Sequence, residues 1–148
     1  MAREKRVLVV DDDDAIRALL FTVLRRRGFA VDVARNGAEA MERCTRCSYA
    51  VVLLDLMMPK MSGYEVLEAL ERENESTRPL IIVLTAGNEP RNLNASLVAG
   101  TVRKPFDIEM LVHTISACMT TAAEREQRAE CPPSDTEIFL RNGSERPN

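Results

Sequence analysis

Aspartates gather where apolar runs stop: V-L-V-V-D-D-D-D from Val7 to Asp14, and again V-V-L-L-D from Val51 to Asp55. Two more runs end in complementary groups, I-I-V-L-T at Thr85 and T-V-R-K at Lys104. Carboxylates, a hydroxyl and an ammonium delivered to one place could hold a hard cation and act on an anionic group. Two carboxylates about 4 Å apart repel by roughly 4 kcal/mol at an effective dielectric of about 20, so clustering Asp11, Asp12 and Asp55 requires compensation. A divalent cation supplies it. Oxygen ligands with room for waters suit Mg²⁺, which takes one or two carboxylates plus a phosphoryl oxygen. The four consecutive aspartates then divide their duties. Asp11 and Asp12, nearest the apolar run, face the metal, and Asp13 or Asp14 caps a helix beginning near Ala15. The bland alternative makes all four a capping and solubility cluster and Lys104 a solvated strand-end lysine.

Such a rim needs a scaffold that ends several strands together. Four short apolar runs, Arg6–Val10, Ala30–Ala34, Ala50–Leu54 and Leu80–Leu84, are separated by helical text, and a weaker fifth covers Thr101–Lys104. Three of the four are unbroken by polar residues, as in parallel strands covered on both faces, while A-V-D-V-A alternates and reads as an edge strand. Ile16, Leu19, Leu20, Val23 and Leu24 make the apolar stripe of a helix that stops at Gly28 behind three arginines. Further helices are expected over Gly37–Arg46, Gly63–Glu73, about Arg91–Ala99, and from Asp107 onward. Strand and helix alternate, which predicts a doubly wound parallel α/β sheet with right-handed crossovers and a crevice at the carboxyl ends of its strands.

The remaining composition narrows the function by exclusion. The 148 residues suit one domain, residues 1–121, followed over 122–148 by a helix extension and a tail, expected to be disordered from Pro132. A docking peptide around Ile138, Phe139 and Leu140 is the other reading of that tail. A net charge of −3 and no tryptophan argue against direct nucleic-acid binding. The apolar stretch behind the basic start is too short for a signal peptide, and no window suits membrane insertion, so a cytoplasmic protein is expected. Cys44, Cys47, Cys118 and Cys131 fit no disulfide scaffold. C-T-R-C closes a helical segment rather than opening one, and His113 is the chain's single histidine, so zinc or redox chemistry is disfavoured. Met57 and Met58 read as packing and loop residues rather than a soft-metal site.

Four motifs in order, V-L-V-V-D-D with I-R-x-L-L, V-V-L-L-D-L-M-M-P-K-M-S-G-Y-E, I-I-V-L-T-A and K-P-F-D, resemble the receiver domain of bacterial two-component response regulators over about residues 5–117. The resemblance implies a flavodoxin-like five-stranded sheet in the order 2-1-3-4-5 with helices on both faces. It implies Asp55 as phosphoacceptor, Asp11 and Asp12 as the acidic Mg²⁺ site, and Met57 as a metal ligand through its backbone carbonyl. Thr85 would be the switch hydroxyl, Lys104 the phosphate-binding ammonium, and the peptide before Pro105 would be cis. The partners implied are a sensor histidine kinase or phosphotransfer protein and a downstream protein target. Such a protein promotes its own phosphorylation and dephosphorylation and is not an enzyme acting on another substrate.

The sequence departs from that family before Lys104. A-G-T-V-R-K-P is about three residues short, and Thr101 stands where an aromatic is expected. The length of the fifth strand and an aromatic relay from Thr85 are both left open by this, and readout is expected through the loop after Thr85. Two alternatives stand beside this reading. One is a receiver-fold interaction module that never turns over phosphate. The other is a haloacid-dehalogenase-type hydrolase, whose D-x-D-x-[TV] pattern Asp11 to Ala15 ends wrongly. Since the tail has no space for an output domain, a stand-alone receiver that signals by binding is the expectation.

Overall fold

The computed structural model describes residues 6–58, 61–73, 78–86, 93–94 and 96–130. Strands β1 (Arg6–Val10), β2 (Ala30–Ala34), β3 (Val51–Asp55), β4 (Leu80–Thr85) and β5 (Val98–Arg103) form one parallel sheet in the order β2-β1-β3-β4-β5. Helices α1 (Asp14–Arg26), α2 (Gly37–Arg46), α3 (Gly63–Glu71) and α4 (Ile108–Glu130) cover it. This is the flavodoxin-like arrangement that the motifs imply.

Side-chain alternation divides the core in two. Val7, Val9, Leu53, Ile82 and Leu84 face a layer built from Leu20 and Leu24 of α1 and Leu111, Ile115 and Met119 of α4. Leu8, Val10, Val52, Leu54 and Val83 face Ala40 of α2 and Val66, Leu67 and Leu70 of α3. β3 and β4 are buried at every residue, which is why their sequences carry no alternation. Burying each Leu, Ile or Val contributes roughly 1.5–3 kcal/mol, so the central strands are the rigid part of the domain. β2 lies at one edge, as its alternating sequence predicts. Leu19 departs from the expected α1 stripe and stays 48% exposed.

Helix starts and stops follow local chemistry. Asp13 caps α1, accepting from the N–H groups of Ala15 and Ile16. Ser62 and Glu65 close a reciprocal capping box on α3. After α1 the chain turns through Gly28 at φ +93°, a backbone conformation open to glycine and strained for other residues.

The clearest correction lies between β4 and β5. The helix expected over Arg91–Ala99 does not run to its end: Ser96 and Leu97 form a turn and Val98 and Ala99 open β5. Arg91, Asn92 and Ala95 lie outside the described residues. The fifth strand, read from the sequence over Thr101–Lys104, begins three residues earlier at Val98, ends at Arg103 and matches β4 in length. Pairing decides this. Once Thr85 and Lys104 are fixed at the same rim, β5 must still span the sheet at about 3.3 Å per residue, so missing residues come from the connection. A register irregularity opposite Ile81 and Ile82 absorbs the fit. The expected tail from Pro132 lies outside the described residues, whereas α4 does extend through Ala122 to Glu130.

Candidate functional site

β1 and β3 are hydrogen-bonded neighbours, so their terminal acids emerge side by side. Ligand oxygens of Asp11, Asp12 and Asp55 all lie within 4.8 Å of one another, with Asp11 and Asp55 buried and Asp12 exposed. Among the described residues this is the His, Cys, Asp or Glu cluster compact enough to hold an ion. β5 returns Lys104 to the same place. Its Nζ lies 2.9 Å from Asp11 Oδ2 and 3.6 Å from Asp55 Oδ2. The Lys104 N–H donates to the Thr85 carbonyl at 2.7 Å, pinning the lysine to the end of β4, and the Lys104–Pro105 peptide is cis, as the resemblance implies. Thr85 is itself buried at the strand end.

The turns are tied by their own acids. Asp11 Oδ1 accepts from the Asp13 N–H at 2.9 Å, and Asp55 Oδ1 accepts from the Met57 N–H at 3.1 Å. One oxygen of each buried carboxylate thus holds its loop. The other faces the cluster. Asp11 Oδ2 is buried, and its partner is the Lys104 ammonium at 2.9 Å. That one ammonium also serves Asp55, so three clustered carboxylates remain under-compensated without a further cation.

Electrostatics show the same imbalance. Burial first, and the Asp11 charge with it, push the Asp55 carboxyl up to about 6, against the Met57 N–H and Lys104, which favour its ionised form. For Lys104 burial disfavours the ammonium, but the contacts with Asp11 and then Asp55 outweigh it and raise its pKa. Three carboxylates around one ammonium leave net negative charge beside a half-exposed rim. The residues therefore fit Mg²⁺: hard oxygen donors within 4.8 Å of one another, two buried carboxylates with one ammonium between them, and one exposed acid at the mouth.

All the sequence-expected acids, Lys104 and Thr85 come to this rim. Met57 arrives with its backbone, while its side chain is 72% exposed and Met58 packs against the α2–α3 layer. The soft-metal reading finds no support in that arrangement. Cys44 is half-buried, and burial, followed by Glu73 and Cys47, pushes its thiol up to about 11, which disfavours a reactive thiolate.

Two neighbours escape the sequence reading. Arg17, which the motif leaves as one letter of I-R-x-L-L, reaches back from α1 and donates from Nη1 to the Asp11 carbonyl at 2.8 Å. Gly63, which reads only as a helix start, lets α3 press on the acceptor strand: a Cβ there would sit 2.6 Å from the Asp55 carbonyl oxygen and 2.5 Å from Leu56 Cα. The available signal is a glycine at the first helical position of a well-capped helix, where it is a poor helix former without a packing reason.

Comparison with known proteins agrees with this geometry. Residues 7–116 match the response regulator receiver domain family. The transcriptional regulatory protein ResD of Bacillus subtilis is 37% identical over 140 residues, which cover 92% of this chain and 57% of ResD. SrrA of Staphylococcus aureus is 38% identical over 131 residues, covering 83% of this chain and 53% of SrrA. The chain thus spans about half the length of the curated relatives it matches. Among solved structures, a CheY-like receiver domain protein from Methanospirillum hungatei superposes with a TM-score of 0.71 at 31% identity, covering 80% of this chain and 96% of that one. TrrA of Thermotoga maritima, solved in complex with Mg²⁺ and BeF, gives 0.69 at 35% identity, covering 77% and 98%. By sequence, sheet order and the convergence of its strand-end residues, the chain belongs to the response regulator receiver domain family.

Proposed function

We propose that the protein accepts a phosphoryl group on Asp55 from a sensor histidine kinase or phosphotransfer protein and signals through phosphorylation-dependent contact with a downstream protein. The observation that carries this reading is the meeting of Asp11, Asp12 and Asp55 within 4.8 Å, with Lys104 Nζ 3.6 Å from Asp55. In the transfer, an Asp55 carboxylate oxygen forms a bond to phosphorus as the phosphorus–nitrogen bond to the donor imidazole breaks, and the departing imidazole takes a proton. Such transfer depends on positioning and charge neutralisation more than on covalent help from the protein. Asp11 and Asp12 would hold Mg²⁺ beside Asp55, with the Met57 carbonyl as a further ligand, and the ion would supply charge neutralisation for the transferred oxygens.

Lys104 supplies the protein's own positive charge, held in place by its backbone bond to Thr85. The Met57 N–H fixes the acceptor carboxylate. Ala86, exposed beside Thr85, leaves the approach open to donor and to water. Phosphorylation then draws Thr85 and Lys104 toward the new phosphoryl oxygens and orders the adjoining loops. Thr101 lies exposed in β5 where the family pattern has an aromatic, so readout runs through the segment after Thr85. Chemical-shift mapping with beryllofluoride checks this: changes confined to Thr101 and α4, with the segment after Thr85 silent, would refute it.

On this reading the protein is not an enzyme acting on a separate substrate; it promotes its own phosphorylation and dephosphorylation in the cytoplasm. None of the described helices is long and apolar enough to cross a membrane. Output passes through protein contacts of the receiver itself, as the single-domain expectation has it, and any attached domain would add to them. The presence of every acidic group, the hydroxyl and the lysine favours turnover over a phosphate-silent interaction module. The test is incubation with Mg²⁺ and acetyl phosphate followed by intact mass. The wild type gains one phosphoryl group and Asp55→Asn gains none; modification that survives the substitution would reassign the acceptor.

A further inference from the structure

We infer that Arg17 is a positioning residue that sets the reach of Asp12 and thereby the affinity and size selectivity of the acidic cluster for divalent cations. The inference rests on the reading of Asp11, Asp12 and Asp55 as a Mg²⁺ site. It concerns a residue of α1 that contributes no atom to that cluster.

One guanidinium holds both ends of the turn that carries Asp12. Nη1 donates to the Asp11 carbonyl at 2.8 Å, and Nη2 pairs with the Asp14 carboxylate one turn back on α1. The Arg17 side chain is 14% exposed although Asp14 is 88% exposed, so the fork is seated against the protein and the acid comes to it. The Arg17 N–H also donates to the Asp13 carbonyl at 3.0 Å. Asp11 is fastened in turn to β2 through its N–H on the Ala34 carbonyl at 3.2 Å, and through Oδ1 on the Asp13 N–H. Asp12 is thereby strung between two anchored neighbours, its carboxylate left facing the cluster.

The bracket also neutralises Asp14. Four adjacent carboxylates repel one another and could draw a cation toward the outer pair. With Asp13 engaged as the α1 cap and Asp14 held by Arg17, the inner pair is the one left for a metal. A lysine could balance the charge but lacks the planar fork that grips a carbonyl and a carboxylate together.

Positioning and simple charge predict opposite signs. If Arg17 acted only as a positive charge, removing it would make the rim more negative and tighten cation binding. If it positions Asp12, removing it loosens binding, and Mg²⁺ suffers more than Ca²⁺, because Mg²⁺ demands near-ideal octahedral geometry and Ca²⁺ tolerates flexible coordination. Calorimetric titration of the whole chain with Mg²⁺ and with Ca²⁺, each alone, separates the cases. For Arg17→Ala the expected loss of Mg²⁺ affinity is about ten-fold or more, the range for groups that support metal ligands, with Ca²⁺ changing by less than about three-fold. Arg17→Lys keeps the charge and should still lose several-fold for Mg²⁺, which secures the test if the alanine variant does not fold. Mg²⁺ affinity that is unchanged or tighter in Arg17→Ala, wild-type affinity in Arg17→Lys, or equal losses for both ions would overturn the inference. Failure of the wild type to bind Mg²⁺ would overturn the reading of the site and this inference with it.

Discussion

The two rims of this one sheet treat charge in opposite ways. At the amino-terminal rim, Asp32 Oδ2 takes a hydrogen bond from the Tyr49 hydroxyl at 2.6 Å and an ion pair from Arg6 at 3.1 Å, tying β2 to the chain entering β3 across β1. Burial, and after it Asp32, raise the Tyr49 pKa, so the phenol stays a donor. Nearby, Arg78 donates to the Glu71 carbonyl and the Ser96 hydroxyl, and Asn94 donates to Glu71, linking α3 to the approach to β5, with Arg78 Nε the donor left over. At the carboxyl-terminal rim, two buried acids and one exposed acid cluster, and Lys104 reaches only the buried pair, Asp11 and Asp55. At one rim acids meet donors that hold the fold; at the other, carboxylates outnumber the ammonium beside them and keep negative charge for a cation that arrives. Strained electrostatics of this kind concentrate where a protein does its chemistry.

The contrast can be broken at either end. The largest expected effect is at Lys104: Lys104→Met should slow phosphorylation by acetyl phosphate by at least about 100-fold, because the transferred oxygens lose their protein cation. Intact mass against time measures it. Gly63→Ala should destabilise the protein by about 1–3 kcal/mol in chemical denaturation, since the added methyl meets the Asp55 carbonyl and the chain behind it.

Asp55→Asn should move the other way. The Asp55 carboxyl titrates near 6 when folded and about 3.9 when unfolded, so folding favours its protonated form. Its contribution to stability is fully present below about pH 4 and is lost as pH rises through 6. Without metal at pH 7.5 the asparagine variant should therefore be the more stable by about 1–2 kcal/mol, a gain that fades toward pH 4. A variant less stable than the wild type at pH 7.5 would deny that the rim is strained. Tyr49→Phe, at the opposite rim, should cost about 1 kcal/mol by thermal melting and leave phosphorylation unchanged. Glu42→Ala, which breaks the exposed pair with Arg46 on α2, should stay within about 0.5 kcal/mol.

Strands whose apolar content is dictated by burial on both faces were legible from the residues alone. β1 and β2 match their expected bounds, β4 gains only the terminal Thr85, and β3 is shifted by one residue, losing Ala50 and gaining Asp55. The site acids were legible for a related reason: in a parallel sheet, a polar residue closing a buried run can only emerge at the carboxyl rim. What could not be read is whatever depends on another strand's register. Leu93, Leu97 and Val98 have spacing that suits a helix face, but all three pack against the α2–α3 layer without one. Arg17 and Gly63 were hidden similarly, because an arginine in an amphipathic helix and a glycine behind a cap have ordinary local explanations. Their roles exist only once α1 folds back on the end of β1 and α3 on the end of β3.

The length of α4 has a mechanical meaning. Ala122 is the last of its described side chains to pack in the core, and the helix continues to Glu130, about 12 Å farther at roughly 1.5 Å per residue. Rocking α4 by about 10° about Ala122 would carry its end at Glu130 by about 2 Å, so small adjustments beneath the packed turns become a larger displacement farther along the helix.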